Sequence, residues 1–184
     1  MRSYKISLAG DLGSGKSTIA KFLTEKYGLE KVSIGSIQRQ MASRMNMDTC
    51  EFNKYMESHP EFDNILDTKL SEYEKIDGRF LFDSRLAWHF VPSSFKVYMK
   101  VSPQVAGKRV YNAERADETY SSVEDAVDKL IERRRSERER FLQFYNVDIT
   151  DLSNYDFVID TENKTIQQVV NQVCEAFETW LNQN

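Results

Sequence analysis

Apolar residues along this chain come in two rhythms. The short run Tyr4-Lys5-Ile6-Ser7-Leu8-Ala9 suits a buried strand, whereas Ile19, Ala20, Phe22 and Leu23, then Tyr27, recur at the spacing of one helix face. Carried through the sequence, the pattern predicts strands at Tyr4–Ala9, Lys31–Ser33, Arg79–Asp83, Phe95–Lys100 and Phe157–Asp160. Between them it predicts helices near Lys16–Tyr27, Ser36–Asn46, Thr49–Glu57, Asp63–Ile76 and Pro103–Asn112. A longer helix is predicted over Val123–Tyr145 and a last one over Thr165–Leu181. Asp48 before Thr49-Cys50-Glu51 reads as an N-cap with a capping box, and Pro103 after Ser102 as a first helical residue. Strands alternating with helices imply an α/β fold, a parallel sheet covered on both faces, with ligands at the carboxyl ends of the strands. No repeat or linker breaks the 184 residues, so a single domain is expected.

Between the first strand and the first helix stands Gly10-Asp11-Leu12-Gly13-Ser14-Gly15-Lys16-Ser17, an uninterrupted G-x-x-x-x-G-K-[ST]. The glycines let the backbone curl and turn its N–H groups inward, and the start of the helix adds its own. The residues Gly10, Gly13, Ser14, Gly15, Lys16, Ser17 and Thr18 are therefore expected to cradle the phosphates of ATP. Lys16 would reach the β and γ phosphates, and the Ser17 hydroxyl would ligate Mg²⁺.

A second feature breaks the hydrophobic pattern. Glu132-Arg133-Arg134-Arg135-Ser136-Glu137-Arg138-Glu139-Arg140 contains no apolar residue inside a predicted helix. A helix polar all round has no face for the core, so this stretch is expected to project and to move. It could be a solvated helix held by pairs such as Arg133–Glu137 and Arg135–Glu139. Yet Arg133, Glu137 and Arg140 share one face, spread over about 10 Å. Two guanidinium forks at that spacing could grip phosphates, which points to an arginine lid over about residues 113–145.

Other cations stand at strand ends. Asp83 closes the third predicted strand and could hold Mg²⁺ with Ser17; Arg85, two residues on, would enter the same crevice. Ser33 and Gly35 follow the second strand, with Arg39 in the next helix. Arg39, Arg85, Arg133 and Arg140 exceed what one triphosphate needs, so a second phosphorylated ligand is expected to face the first. Such an acceptor needs no general base, because its phosphate is already ionised at neutral pH. Accordingly, neither His59 nor His89 has a base role in this reading.

The net charge of −4 argues against nucleic acid as a partner. Cys50 and Cys174 match no metal spacing and read as reduced thiols. No apolar stretch reaches the length of a membrane span, and the start of the chain runs straight into a strand. A soluble cytoplasmic protein, monomeric or a weak homo-oligomer, acting on small molecules is expected.

On these residues the chain resembles the cytidylate kinases of the compact, archaeal-type branch of the P-loop nucleoside monophosphate kinases. The resemblance is carried by the phosphate loop, Ser33-Ile34-Gly35-Ser36-Ile37-Gln38-Arg39, Glu51-Phe52-Asn53-Lys54-Tyr55, Asp83-Ser84-Arg85-Leu86-Ala87 and Glu132 through Phe141. Tyr145-Asn146-Val147-Asp148-Ile149-Thr150-Asp151-Leu152 and Tyr155-Asp156 complete it. It implies an adenylate-kinase-like five-stranded parallel sheet, acceptor-binding helices over about 36–76, and ATP-dependent phosphorylation of CMP or dCMP. It makes Lys16, Arg85, Arg133 and Arg140 the catalytic cations. Ser33, Gly35, Arg39, Asp83, Arg85 and Glu137 would bind the acceptor, with Glu137 near the cytosine amine. Ser36 stands where relatives often carry Asp, Ser84 where a short D-G-R-like motif has Gly, and Asp11-Leu12 replaces small residues or proline. The first two departures bear on acceptor identity. The alternatives are a kinase of this fold acting on another nucleotide, a sugar or shikimate, and a nucleotide-binding module without phosphotransfer.

Overall fold

Five strands pair side by side in the order β2-β3-β1-β4-β5, every neighbouring pair parallel. They are β1 (Tyr4–Gly10), β2 (Glu30–Ser33), β3 (Arg79–Asp83), β4 (Phe95–Lys100) and β5 (Phe157–Asp160). The computed structural model describes residues 2–113 and 120–184; the six between them belong to the expected lid and lie outside the described residues.

Alternation within the strands divides the core between two faces, as a covered parallel sheet requires. Ile6, Leu8, Leu81, Val97 and Met99 pack on one face under α1 (Lys16–Tyr27) and α8 (Ile166–Gln183). Phe177 of α8 anchors that layer, its ring 5.4 Å from Tyr4 and 5.0 Å from Tyr27. Phe80 and Phe82 turn to the other face, under α2 (Ile34–Arg44), α3 (Thr49–Glu57) and α4 (Pro60–Glu72). The remaining helices are α5 (Ala87–Phe90), α6 (Pro103–Tyr111) and α7 (Val123–Tyr145). Phe141 of α7 packs with Trp88, Tyr98 and Tyr155, which seats the helix on the sheet's carboxyl side.

All predicted strands are present, and the capping box of α3 is complete: Glu51 N–H donates to Asp48 Oδ1 and Asp48 N–H to Glu51 Oε2, both at 2.8 Å. Such a cap contributes about 1 kcal/mol. Helix starts differ by a few residues. α2 begins at Ile34 rather than Ser36 because Ser33 is its N-cap, its side chain accepting from Ser36 N–H. α4 starts at Pro60, whose fixed φ suits a first helical turn, and ends at Glu72 in a short 3₁₀ turn, Tyr73–Lys75. The four-residue α5 was not expected; Ser84 Oγ accepts from Leu86 N–H and turns the chain into it. Among the described residues no helix is long and apolar enough to cross a membrane.

Candidate active site

The glycine-rich loop leaves β1 beside β4 with no space to spare. A Cβ on Gly10 would stand 2.2 Å from Met99 O, and φ at Gly10 is +144°. At Gly13, with φ +76°, a Cβ would meet Ala106 Cα at 2.9 Å. Only glycine satisfies both the backbone and the space at these positions. The loop delivers the chain into α1 with Lys16 as its first residue. Lys16 Nζ donates to the loop's own carbonyls, Gly10 O at 2.9 Å and Asp11 O at 2.8 Å. Burial and the neighbouring Arg85 charge push its pKa down to about 7, against the opposing pull of Asp83, Asp11 and Glu137.

The cations predicted from distant stretches meet here. Lys16, Arg39, Arg85, Arg133 and Arg140 all line one cleft of about 1070 Å³, counting its open mouth. Gly13, Gly15, Ser17 and Thr18 form its phosphate-loop wall, and Ser33, Gly35, Asp83 and Glu137 line it as well. Ser33 and Asp83 are register partners at the ends of β2 and β3, so strand pairing fixes their separation. Two loop residues sit elsewhere. Gly10 backs onto a second cavity between the loop, α6 and α7, and Ser14 lies beside Arg109 and Thr161. The Ser14 hydroxyl is buried without a hydrogen-bond partner among the described residues.

The charged stretch of α7 does not project. Its Arg133, Glu137 and Arg140 face is buried, with Glu137 and Arg140 each 4% exposed. Charge pairing replaces apolar packing. Arg85 Nε donates to Glu137 Oε2, Arg133 Nε to Glu137 Oε1 at 3.1 Å, and Arg140 Nη1 to Asn53 O and Oδ1 at 3.2 Å. Arg140 Nε also lies 2.8 Å from Asp63 Oδ2. Burial alone would raise the Glu137 pKa, but Arg85, Arg133 and Arg140 override it and hold it at about 2. The same pairing outweighs burial at Arg85 and raises its pKa. Glu132, Arg135, Arg138 and Glu139 form the solvated face.

Asp11, which looked like a departure within the loop, holds three elements together. Its carboxylate accepts from Tyr98 OH at 2.7 Å and Val101 N–H at 3.0 Å, and pairs with Arg134 Nη1 at 2.9 Å. Arg109 donates to Thr161 Oγ1 and O and, at 3.4 Å, to Gly13 O, bracing the loop from α6. Asp63, Asp67 and Gln38 also line the cleft. Sequence reasoning did not select these. The one signal for Asp63 and Asp67 was their i,i+4 spacing.

The donor set at Ser17 and Asp83, a hydroxyl and a carboxylate, consists of hard oxygens that suit Mg²⁺ shared with a nucleotide's phosphates. Among the described residues no group of three or more His, Cys, Asp or Glu could hold a metal alone.

Comparisons with known proteins identify the family and the fold. Residues 5–163 match the model of the cytidylate kinase-like family. The chain is 38% identical to a cytidylate kinase of Methanocaldococcus jannaschii over 94% of its own length and 97% of the relative's. It is 36% identical to an S-adenosylmethionine-dependent nucleotide dehydratase of Lacinutrix mariniflava, over 95% of this chain but only 36% of that longer protein. A shikimate kinase from Bacteroides thetaiotaomicron shares the fold, with a TM-score of 0.61 at 17% identity, covering 95% of this chain and 98% of that one. The chain belongs to the cytidylate kinase-like family.

Proposed function

We propose that this protein transfers the γ-phosphoryl group of ATP to CMP or dCMP. The observation that carries the reading is the meeting of Lys16 with Arg39, Arg85 and Arg133 in one cleft, more positive charge than one triphosphate requires. The similarity to cytidylate kinases over nearly the whole chain supports the choice of acceptor.

In this reading the phosphate loop holds the donor, with Lys16 on its terminal phosphates. Arg39 and Arg85 hold the acceptor phosphate, and Arg133 spans the two as charge moves between them. Arg140, engaged with Asn53 and Asp63, belongs to the acceptor end. Glu137 supplies the counter-charge that keeps Arg85 and Arg133 gathered before phosphate arrives. Mg²⁺ held by Ser17 and Asp83 would neutralise the phosphate oxygens. The acceptor phosphate is its own nucleophile, so the protein has to align, neutralise and exclude water. The α7 helix, Val123–Tyr145, covers the cleft for that last task. A sugar or shikimate kinase would instead need a carboxylate base, and Asp83 is the one candidate at the reacting end. The reading carries a cytoplasmic location and a monomer or weak homo-oligomer, since one chain supplies every residue named here.

The test is acceptor-dependent ADP release, with CMP, dCMP, UMP, AMP, shikimate and gluconate offered in turn. ADP should form with CMP and dCMP well above the rest. Tight ATP binding without turnover on any acceptor would instead make this a nucleotide-binding module.

A further inference from the structure

The acceptor half of the cleft holds two buried carboxylates that phosphate chemistry does not use. Asp63 and Asp67 stand one turn apart on one face of α4, 4% and 8% exposed, and both line the cleft. Asp63 Oδ2 pairs with Arg140 Nε at 2.8 Å. Asp67 accepts from Tyr145 OH. Each carboxylate has a second oxygen and the guanidinium has five N–H donors, so these residues keep hydrogen-bonding capacity toward the cleft they line. Around them Met56, Leu66 and Phe141 give apolar walls suited to a flat ring.

Two acceptors beside one guanidinium donor match a particular heterocycle edge. Cytosine presents an exocyclic amine, a donor, next to a ring nitrogen and a carbonyl, both acceptors. Uracil presents a carbonyl and a ring N–H in the first two places, which would set oxygen against carboxylate and N–H against guanidinium.

We propose that Asp63 and Asp67 accept hydrogen bonds from the exocyclic amine of the acceptor base while Arg140 donates to its ring nitrogen and carbonyl, so that α4 sets the preference for cytosine. This rests on the CMP kinase reading and gives it its specificity residues. The resemblance puts Glu137 near the amine, but both Glu137 oxygens already accept from Arg85 and Arg133.

The arrangement has a pH signature. Burial raises the Asp67 pKa to about 6, with Asp63 adding to the rise and the Tyr145 hydrogen bond and Arg140 opposing it. The other charged groups lining the cleft are Lys16 at the start of α1, Arg39 on α2, Asp83 at the end of β3, Arg85 after it, and Arg133 and Glu137 on α7. Below about pH 6 a protonated Asp67 can donate to uracil's carbonyl, and discrimination weakens. Above it the carboxylate repels that carbonyl, and discrimination grows.

The experiment measures kcat/KM for CMP and UMP from pH 5 to 8 in the wild-type protein, Asp63→Asn and Asp67→Asn. Both acceptors carry the same phosphate, so its titration cancels in their ratio. The wild-type CMP:UMP ratio should rise through pH 6. Each substitution should lower the ratio at pH 8 by about tenfold or more, and Asp67→Asn should flatten its pH profile, with the KM for ATP unchanged. If a variant does not fold, Tyr145→Phe carries the test: loss of the phenol donor should move the midpoint of the profile to higher pH. A wild-type enzyme active on CMP, with a ratio unchanged by pH and by these substitutions, would overturn the proposal alone. A wild-type protein that phosphorylates neither pyrimidine would overturn the kinase reading and this proposal together.

Discussion

Lys16 balances burial against charge. Its ammonium rests on Gly10 O and Asp11 O, and burial and Arg85 hold its pKa at about 7. Nucleotide phosphates favour the charged form, so binding must raise that pKa. Between pH 7 and 9 ATP binding should therefore take up a fraction of a proton, and affinity should fall as pH rises. Calorimetry in two buffers of different ionisation enthalpy measures the uptake; identical apparent enthalpies at pH 8 would contradict it. Lys16, Ser17 and the loop glycines were legible in the sequence because their task lies in adjacent positions. Asp11 was visible only as an oddity. Its partners Tyr98, Val101 and Arg134 come from β4, the turn after it and α7, and no local spacing announces a contact that exists only once those elements pack.

Among the elements, α7 departs furthest from its pattern. Absence of apolar residues was read as absence of a buried face, a rule that holds when burial is driven by the hydrophobic effect alone. Here the buried face is made of paired charges, and the partners, Arg85, Asn53 and Asp63, lie on other elements. The tie between α7 and the loop separates two kinds of energy. Arg134 is 44% exposed on its side chain, and losing its ion pair by Arg134→Gln should cost less than about 1 kcal/mol. Asp11→Ala strips acceptors from a buried amide and a phenol and should cost about 2–3 kcal/mol. Urea unfolding of the two variants decides the matter; equal losses would mean that the ion pair, not the hydrogen bonds, holds the loop. Strands and most helices were legible because each carries its own period. Helix starts slipped where a cap belongs to the preceding strand, as Ser33 does at the end of β2.

For the whole molecule, alternation of strand and helix foretold a covered parallel sheet of five strands, the number the resemblance also implies. The strand order reflects crossovers that local pattern does not encode. Assembly also sets how stability depends on pH. Glu137, held at about 2 in the folded chain, gives stability that is present above its unfolded value near 4.3 and lost as pH falls toward 2. Asp67, raised to about 6, acts with the opposite sign: its contribution is present below about 3.9 and lost as pH rises through 6. Glu137→Gln should therefore flatten the acid limb of stability measured by urea unfolding between pH 5 and 2; an unchanged limb would show that other carboxylates govern it. The central claim is that one chain gathers Lys16 and its guanidinium groups around two phosphorylated ligands at once. Calorimetric titration with an adenosine–cytidine pair joined through five phosphates tests it most directly. The account predicts one site per chain, bound at least about a hundredfold more tightly than ATP or CMP alone, with that gain lost in Arg85→Ala. Affinity no better than that of ATP, unchanged by Arg85→Ala, would contradict it.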